Sequence, residues 1–335
     1  MPTRVLVTGA GGFIGHHLVT YLKARGYWVR GVDLKEPEYT AIDADEFELM
    51  DLREADAAKR AMRGGIDHVF ALAADMGGMG FISAHHAEIL HNNALINLHT
   101  IEAARQAGVS RYLYSSSACV YPEHLQVDAN VKPLREEDAY PAAPQDAYGW
   151  EKLVTEKLCE YYTHDYGLET RVVRFHNIYG PNGTYDGGRE KAPAALCRKV
   201  AAVDDGGEIE IWGDGEQTRS FCHVGDCVEG IYRLMQSDHR DPLNLGTDRM
   251  VTINELAGII IAISGKRHIS VRHVDGPQGV RGRNSDNTRL REVLGWEPVI
   301  DLEQGLVPTY RWIEERLRGG RTTDAEAERA LAATR

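Results

Sequence analysis

The apolar run Val5-Leu6-Val7-Thr8 breaks off at Gly9, and the segment Gly9-Ala10-Gly11-Gly12-Phe13-Ile14-Gly15 leads straight into apolar residues at helical spacing up to Leu22. Few folds turn a strand so sharply into a helix. Gly9 permits the tight turn, Gly12 lets an anion approach the backbone, and Gly15 lets the helix pack closely on the strand. The opening N–H groups at Phe13, Ile14 and Gly15 then face the anion. The next strand ends at Val32-Asp33, where a carboxylate accepts hydrogen bonds from an adenosine ribose and repels a 2′-phosphate. Together these features predict a dinucleotide site that takes NAD in preference to NADP. Asp51 has two open readings, a contact with the adenine or an N-cap ahead of Leu52-Arg53-Glu54.

Further strands are expected near residues 47–50, 69–73, 112–115 and 170–175, with long helices over about 84–107 and 147–166. Such alternation predicts an α/β chain whose parallel, doubly wound sheet is covered on both faces, a Rossmann-type domain over about 1–180. Beyond it, Pro181-Asn182-Gly183, Gly187-Gly188, Gly206-Gly207 and Gly213-Asp214-Gly215 punctuate loops around one helix at 193–202. A smaller mixed α/β lobe is expected over 181–318, with a segment near 218–247 returning to the first domain. Residues 319–335 read as a tail, a frayed helix or a loose end.

At 335 residues the chain holds one large domain and a smaller lobe, and its net charge of −12 argues against nucleic-acid or membrane-surface binding. Any anionic ligand must then be met by a few placed cations. No long apolar stretch reads as a membrane span, and Met1 leads directly into the first strand without a signal-peptide pattern. The five cysteines, Cys119, Cys159, Cys197, Cys222 and Cys227, are odd in number and lack zinc-site spacing, so no metal is expected. They read as free thiols in a reducing cytoplasm.

Two groups carry the chemistry. Ser117 closes a serine-rich strand end, and Tyr148 and Lys152 lie four apart on one helix face, so that the ammonium is expected to lower the pKa of the phenol. Those three suffice for hydride chemistry at an alcohol. Cys119, two residues past Ser117, asks for a separate explanation, because a thiol near neutrality can serve as a base toward a hydrogen beside a carbonyl. The alternative for Cys119 is a small buried strand-end residue, and for Lys191 a solvated surface lysine.

With these motifs the chain resembles the extended short-chain dehydrogenase/reductase family of sugar-nucleotide epimerases and dehydratases. The blocks Asp75-Met76-Gly77-Gly78-Met79-Gly80-Phe81, Phe175-His176-Asn177-Ile178-Tyr179-Gly180, Gly188-Arg189-Glu190-Lys191-Ala192-Pro193, Gln217-Thr218-Arg219-Ser220 and Val280-Arg281-Gly282-Arg283 are similar to those of its members that epimerise a GDP-hexose at C3 and C5. The resemblance implies oxidation at C4 by Tyr148 with bound NAD, proton exchange by Cys119 and Lys191, and return of the hydride. It implies GDP-hexose contacts at Gly77, Ser117, Ala118, Cys119, Asn177, Glu190, Lys191, Ala192, Lys199, Gln217, Thr218 and Arg219, with Arg281 and Arg283 not distinguished from each other. It also implies a homodimer built on the two long helices. A 4-epimerase, a 4,6-dehydratase and a non-catalytic NAD-binding protein are the competing readings.

Overall fold

Short runs rich in Val, Leu and Ile, each ended by Gly, Asp or Ser, become the strands of a central sheet, because side chains buried on both faces leave no room for polar alternation. The computed structural model describes residues 2–333, with side chains over 2–319. In chain order the strands are β1 (Arg4–Thr8), β2 (Trp28–Asp33), β3 (Glu46–Leu49), β4 (His68–Ala71), β5 (Arg111–Ser117), β6 (Glu169–Phe175) and β7 (Ile178–Tyr179). They continue as β8 (Glu208–Trp212), β9 (Thr218–Ser220), β10 (Cys222–His223), β11 (Leu243–Leu245), β12 (Met250–Thr252), β13 (Ser270–Val274) and β14 (Gly282–Arg283). The helices are α1 (Phe13–Lys23), α2 (Ala55–Ala61), α3 (Met79–Ile82), α4 (His86–Gln106), α5 (Ala147–Tyr166), α6 (Ala192–Ala202), α7 (Val224–Gln236), α8 (Ile253–Ser264), α9 (Thr288–Leu294) and α10 (Leu302–Ala333).

Seven strands form one parallel sheet in the order β11-β6-β5-β4-β1-β2-β3. The strand order reverses beside β1, so the crevice at its carboxyl end is where a ligand binds in such a sheet. Leu18, Val19, Leu22, Val228 and Ile231, from α1 and α7, cover one face. Ala57, Ala58, Ala61, Ile96, Ile101 and Cys159, from α2, α4 and α5, cover the other. A separate core joins α6, α8 and α10 to β8 through Leu196, Val200, Ile209, Leu256, Ile260 and Leu306.

Between the two bodies lie the short sheets. β7 pairs with β10, and β9 pairs with β12 on one side and β14 on the other. The chain rejoins the large domain at α7 and β11, whereas β9 stays in the small sheet. The periodicity argument named α1, α4, α5 and α6 and left the other helices uncalled; of those, α3 is four residues long, opens after Gly78, and is too short to show a period. The stretch after Arg318, read as either a frayed helix or a loose end, continues α10 as helix to Ala333.

Candidate active site

The turn from β1 into α1 is shaped by what a side chain would hit. A Cβ on Gly11 would stand 2.1 Å from the Lys35 carbonyl oxygen and one on Gly15 2.1 Å from that of Gly9, while Gly9 itself takes φ +71°. Gly12 is the N-cap of α1, so the N–H groups of Phe13, Ile14 and Gly15 have no carbonyl one turn back and point outward as anion donors. Asp33 ends β2 beside them, accepting from Gly11 N at 2.9 Å and Leu34 N at 2.6 Å. Burial raises its pKa, against the pull of the Lys35, Leu34 and Gly11 amides. A backbone stripped of side chains, a helix opening and a carboxylate with lone pairs to spare fit a dinucleotide diphosphate and its ribose.

The serines ending β5 have separate partners. Ser115 Oγ donates to Ala71 O at 3.0 Å, Ser116 Oγ donates to Glu156, and Ser117 Oγ accepts from Cys119 N at 3.2 Å. Asp146 caps α5 by accepting from Gly149 N at 2.8 Å, which fixes the first turn that carries Tyr148. Lys152 Nζ donates to Ser115 O at 3.0 Å and stands 5.4 Å from the centre of the Tyr148 ring. The expected lowering of the phenol pKa is corrected here. Burial drives Tyr148 well above its ordinary range, with negative charge on Cys119 and Glu151 adding and the Ser117 hydrogen bond opposing. Burial likewise lowers Lys152, since a low dielectric favours the neutral form of each group.

Arg219 and Arg283 sit in register on the paired strands β9 and β14, on the same side of the sheet. Arg283 is buried, donating from Nε to Gln126 Oε1 at 2.6 Å and from Nη1 to Cys119 Sγ at 3.4 Å. Arg219 donates to the carbonyls of Thr218, Gln278 and Val280. Burial and the Arg283 charge pull Arg219 down to about 9, which leaves it protonated at neutral pH. Among the described residues neither guanidinium meets a carboxylate, so the positive charge of the pair has no carboxylate counter-charge among those residues. Lys191, the N-cap of α6, is within electrostatic reach of both Cys119 and Arg283, and burial lowers its pKa.

Cys119 links these residues: Tyr148, Lys191 and Arg219 each feel its charge, Ser117 and Arg283 hydrogen-bond to it, and Lys152 stands over the Tyr148 ring. Ala118, between Ser117 and Cys119, is buried. Asn177, at φ 46°, donates to Ser220 O at 2.9 Å, and Glu190 accepts from Gly188 N at 2.7 Å ahead of Ala192 in the first turn of α6. Gln217 leaves its Oε1 buried without a partner, and Thr218 Oγ1 donates to Ala129 O at 2.5 Å. Three predicted residues have partners of their own within the chain. Arg281 forms a two-pronged ion pair with Asp214 at 2.7 and 2.9 Å, which separates it from Arg283. Lys199 donates to Glu210 O at 2.7 Å, and Asp51 holds Arg53, with Glu54 in its stead as the N-cap of α2.

The model of the NAD dependent epimerase/dehydratase family matches residues 5–246. The chain belongs to that family. NAD is accordingly its cofactor. Within the NAD dependent epimerase/dehydratase family, GDP-mannose 3,5-epimerase 1 of Oryza sativa subsp. japonica is 53% identical over 321 residues, 95% of this chain and 84% of that protein. GDP-mannose 3,5-epimerase of Arabidopsis thaliana is 51% identical over 316 residues, 94% of this chain and 83% of that one. The crystal structure of Thermotoga maritima UDP-glucose 4-epimerase with UDP-glucose superposes at a TM-score of 0.83 with 28% identity, covering 94% of this chain and 99% of that one. The Thermus thermophilus UDP-glucose 4-epimerase complex with NAD gives 0.81 with 26% identity, covering 92% and 98%.

Sequence reasoning missed Gly149. A Cβ there would stand 2.2 Å from Cys119 O, so the glycine inside Tyr148-Gly149-Trp150-Glu151-Lys152 is what lets α5 approach the Cys119 turn. A glycine in the first turn of a helix, beside the tyrosine, was the available signal. Gln126, which orients Arg283, gave no signal, since nothing local marks a glutamine whose partner lies 157 residues away.

Proposed function

We propose that this chain is a GDP-mannose 3,5-epimerase, converting GDP-D-mannose to GDP-L-galactose, with GDP-L-gulose arising from inversion at C5 alone. The observation that carries the reading is Cys119 within electrostatic reach of both Tyr148 and Lys191 and hydrogen-bonded to Arg283, one of two guanidiniums that meet no carboxylate among the described residues. A 4-epimerase needs only the tyrosine, serine and lysine, and gives Cys119 and Lys191 no work. In the epimerase reading Arg219 and Arg283 take the diphosphate of the GDP-hexose, whose paired anions replace the missing carboxylates.

The chemistry that NAD supplies when bound is reversible acceptance of hydride from the hexose C4. Tyr148 takes the proton of the C4 hydroxyl as its phenolate, and the Ser117 hydrogen bond together with a Lys152 ammonium 5.4 Å from the ring centre works against the burial that otherwise holds the phenol protonated. The resulting C4 ketone makes the C3 and C5 hydrogens acidic. Cys119 and Lys191 then remove a proton from one ring face and deliver one to the other. Burial suits Lys191 to this task, because an ammonium with a lowered pKa gives up its proton more readily. Arg283, hydrogen-bonded to Cys119 Sγ, holds charge on the sulfur during the transfer and couples diphosphate binding to the acid–base pair. Return of the proton from Tyr148 accompanies re-reduction at C4, so the reaction is redox-neutral.

The protein also reads as a cytoplasmic homodimer. Its five thiols are free, and Cys119 needs a reducing compartment to act as an acid or base. Among the described residues no helix is long and apolar enough to cross a membrane. Leu90 and Leu98 of α4 and Trp150, Val154 and Tyr161 of α5 stand exposed on neighbouring helices, a patch that a second copy would cover. Sedimentation as a monomer at working concentration would remove the dimer.

The test of activity is incubation with GDP-mannose in deuterated water, followed by NMR of the hexose. Deuterium at C3 and C5 with L-sugar products is expected, and Cys119→Ala and Lys191→Ala should each abolish it. Retention of full exchange in both variants, or a GDP-mannose that returns unlabelled from the wild type, overturns the reading.

A further inference from the structure

Lys191 sits at the boundary of two bodies, and what holds it there comes from the nucleotide-binding side. Behind it α6 is anchored in the small lobe by Leu196, Cys197 and Val200. Ahead of it Gly187 and Gly188 take φ of +86° and +84°, left-handed values that make the approach pliable. Between them Arg189 crosses back to the large domain. Its Nη1 donates to Asp75 Oδ1 at 3.1 Å, and its guanidinium lies 3.7 Å from the centre of the Phe81 ring. Gly78 N donates to Arg189 O at 3.0 Å, and a Cβ on Gly78 would stand 2.4 Å from Glu190 O, so the two backbones touch.

Asp75 is itself held by α4, which is tied in turn to the catalytic helix α5. Asn93 Oδ1 accepts from Asp75 N at 2.6 Å, Asn93 Nδ2 donates to Asp75 O at 3.1 Å and to Glu151 Oε2 at 3.2 Å, and Asn92 Nδ2 donates to Asp75 Oδ2 at 3.1 Å. Glu151 immediately precedes Lys152 on α5, so a continuous hydrogen-bonded path runs from the helix of Tyr148 to the loop of Lys191. Arg189 is 50% exposed and Asp75 20%, so the pair contributes little to global stability.

We propose that Asp75 and Arg189 are positioning residues that strap Lys191 into register with Cys119 for the proton-transfer step. The inference rests on the epimerase reading and extends it to an ion pair outside the Cys119–Lys191 acid–base pair. Misplacing an acid by about 1 Å costs up to roughly 100-fold in rate. Arg189→Ala and Asp75→Asn should each lower kcat for C3 and C5 exchange by roughly 10- to 100-fold, with KM for GDP-mannose and the melting temperature little changed. Arg189→Lys should recover only part, since an ammonium keeps the charge and loses the planar stack on Phe81. The double variant should lose no more than either single one, the signature of one shared interaction. Wild-type exchange in Arg189→Ala, or additive losses in the double variant, would overturn the strap while leaving the epimerase reading intact. Absence of exchange in the wild type would instead remove both.

Discussion

Gly149→Ala adds one methyl group at the point where α5 meets the Cys119 turn, and its consequence can be worked from the contact it makes. The new Cβ would lie 2.2 Å from Cys119 O, 2.9 Å from Cys119 C and 2.8 Å from Pro144 Cβ. The nearest atom is backbone, so no side chain can rotate away, and an ordinary contact near 3.4 Å requires a displacement of about 1.2 Å. Overpacking costs about 1–3 kcal/mol, offset by up to about 1 kcal/mol of helix propensity, so the variant folds with modest destabilisation. A shift of that size at Cys119 reduces proton transfer by roughly 100-fold, or about 2.7 kcal/mol in barrier. Deuterium exchange at C3 and C5 of GDP-mannose reads the loss directly, and thermal melting reads the fold. Gly258→Ala is the internal control: the same change within α8, where a Cβ meets nothing within 4 Å, should keep full activity and gain up to about 1 kcal/mol. Wild-type exchange in Gly149→Ala would refute the claim that this glycine sets the position of Cys119.

Three further outcomes follow from the same geometry. His176 is fully buried and burial lowers it from 6.5 to about 3, so the native state binds fewer protons than the unfolded chain in that window. Stability should fall with acid between those values, by up to about 1.4 kcal/mol per pH unit, and urea melts of His176→Gln should show a shallower dependence. Arg174→Met leaves Glu156 buried without its 2.6 Å ion-pair partner and should cost about 3–5 kcal/mol in chemical denaturation; adding Glu156→Leu should recover most of it, and equal stability of both variants would contradict the account. Asp33→Ala removes the ribose acceptor and should weaken NAD binding by roughly 10- to 100-fold in calorimetric titration while narrowing the preference over NADP, and an unchanged ratio of the two affinities would deny Asp33 that role.

Much of the large domain was legible because its signals are local. The glycine turn, the strand ending in Asp33 and the helix Ala147–Tyr166 each announce themselves within a few residues, through a backbone that admits no Cβ or an apolar run of the right period. The small sheets were not legible, since β7, β10 and β14 are two residues long and exist only because distant segments bring them a partner. The site divides in the same way. Tyr148 was nominated by motif, and Cys119 and Lys191 by the family resemblance, but nothing local distinguishes Arg283 from Arg281. That distinction belongs to Asp214, 67 residues from Arg281, and to Gln126, 157 residues from Arg283.

By itself the sequence determined the alternation of strands and helices, the dinucleotide turn and the chemical types available for catalysis, because covalent geometry and hydrophobic periodicity act over a few residues. Only the tertiary structure decided which charges meet no carboxylate among the described residues, which way burial moves the Tyr148 phenol, and how the loop before Lys191 is tied to the large domain. Those depend on dielectric, on partners supplied from the other end of the chain, and on backbone approaches of a few ångströms, none of which is carried by neighbouring residues.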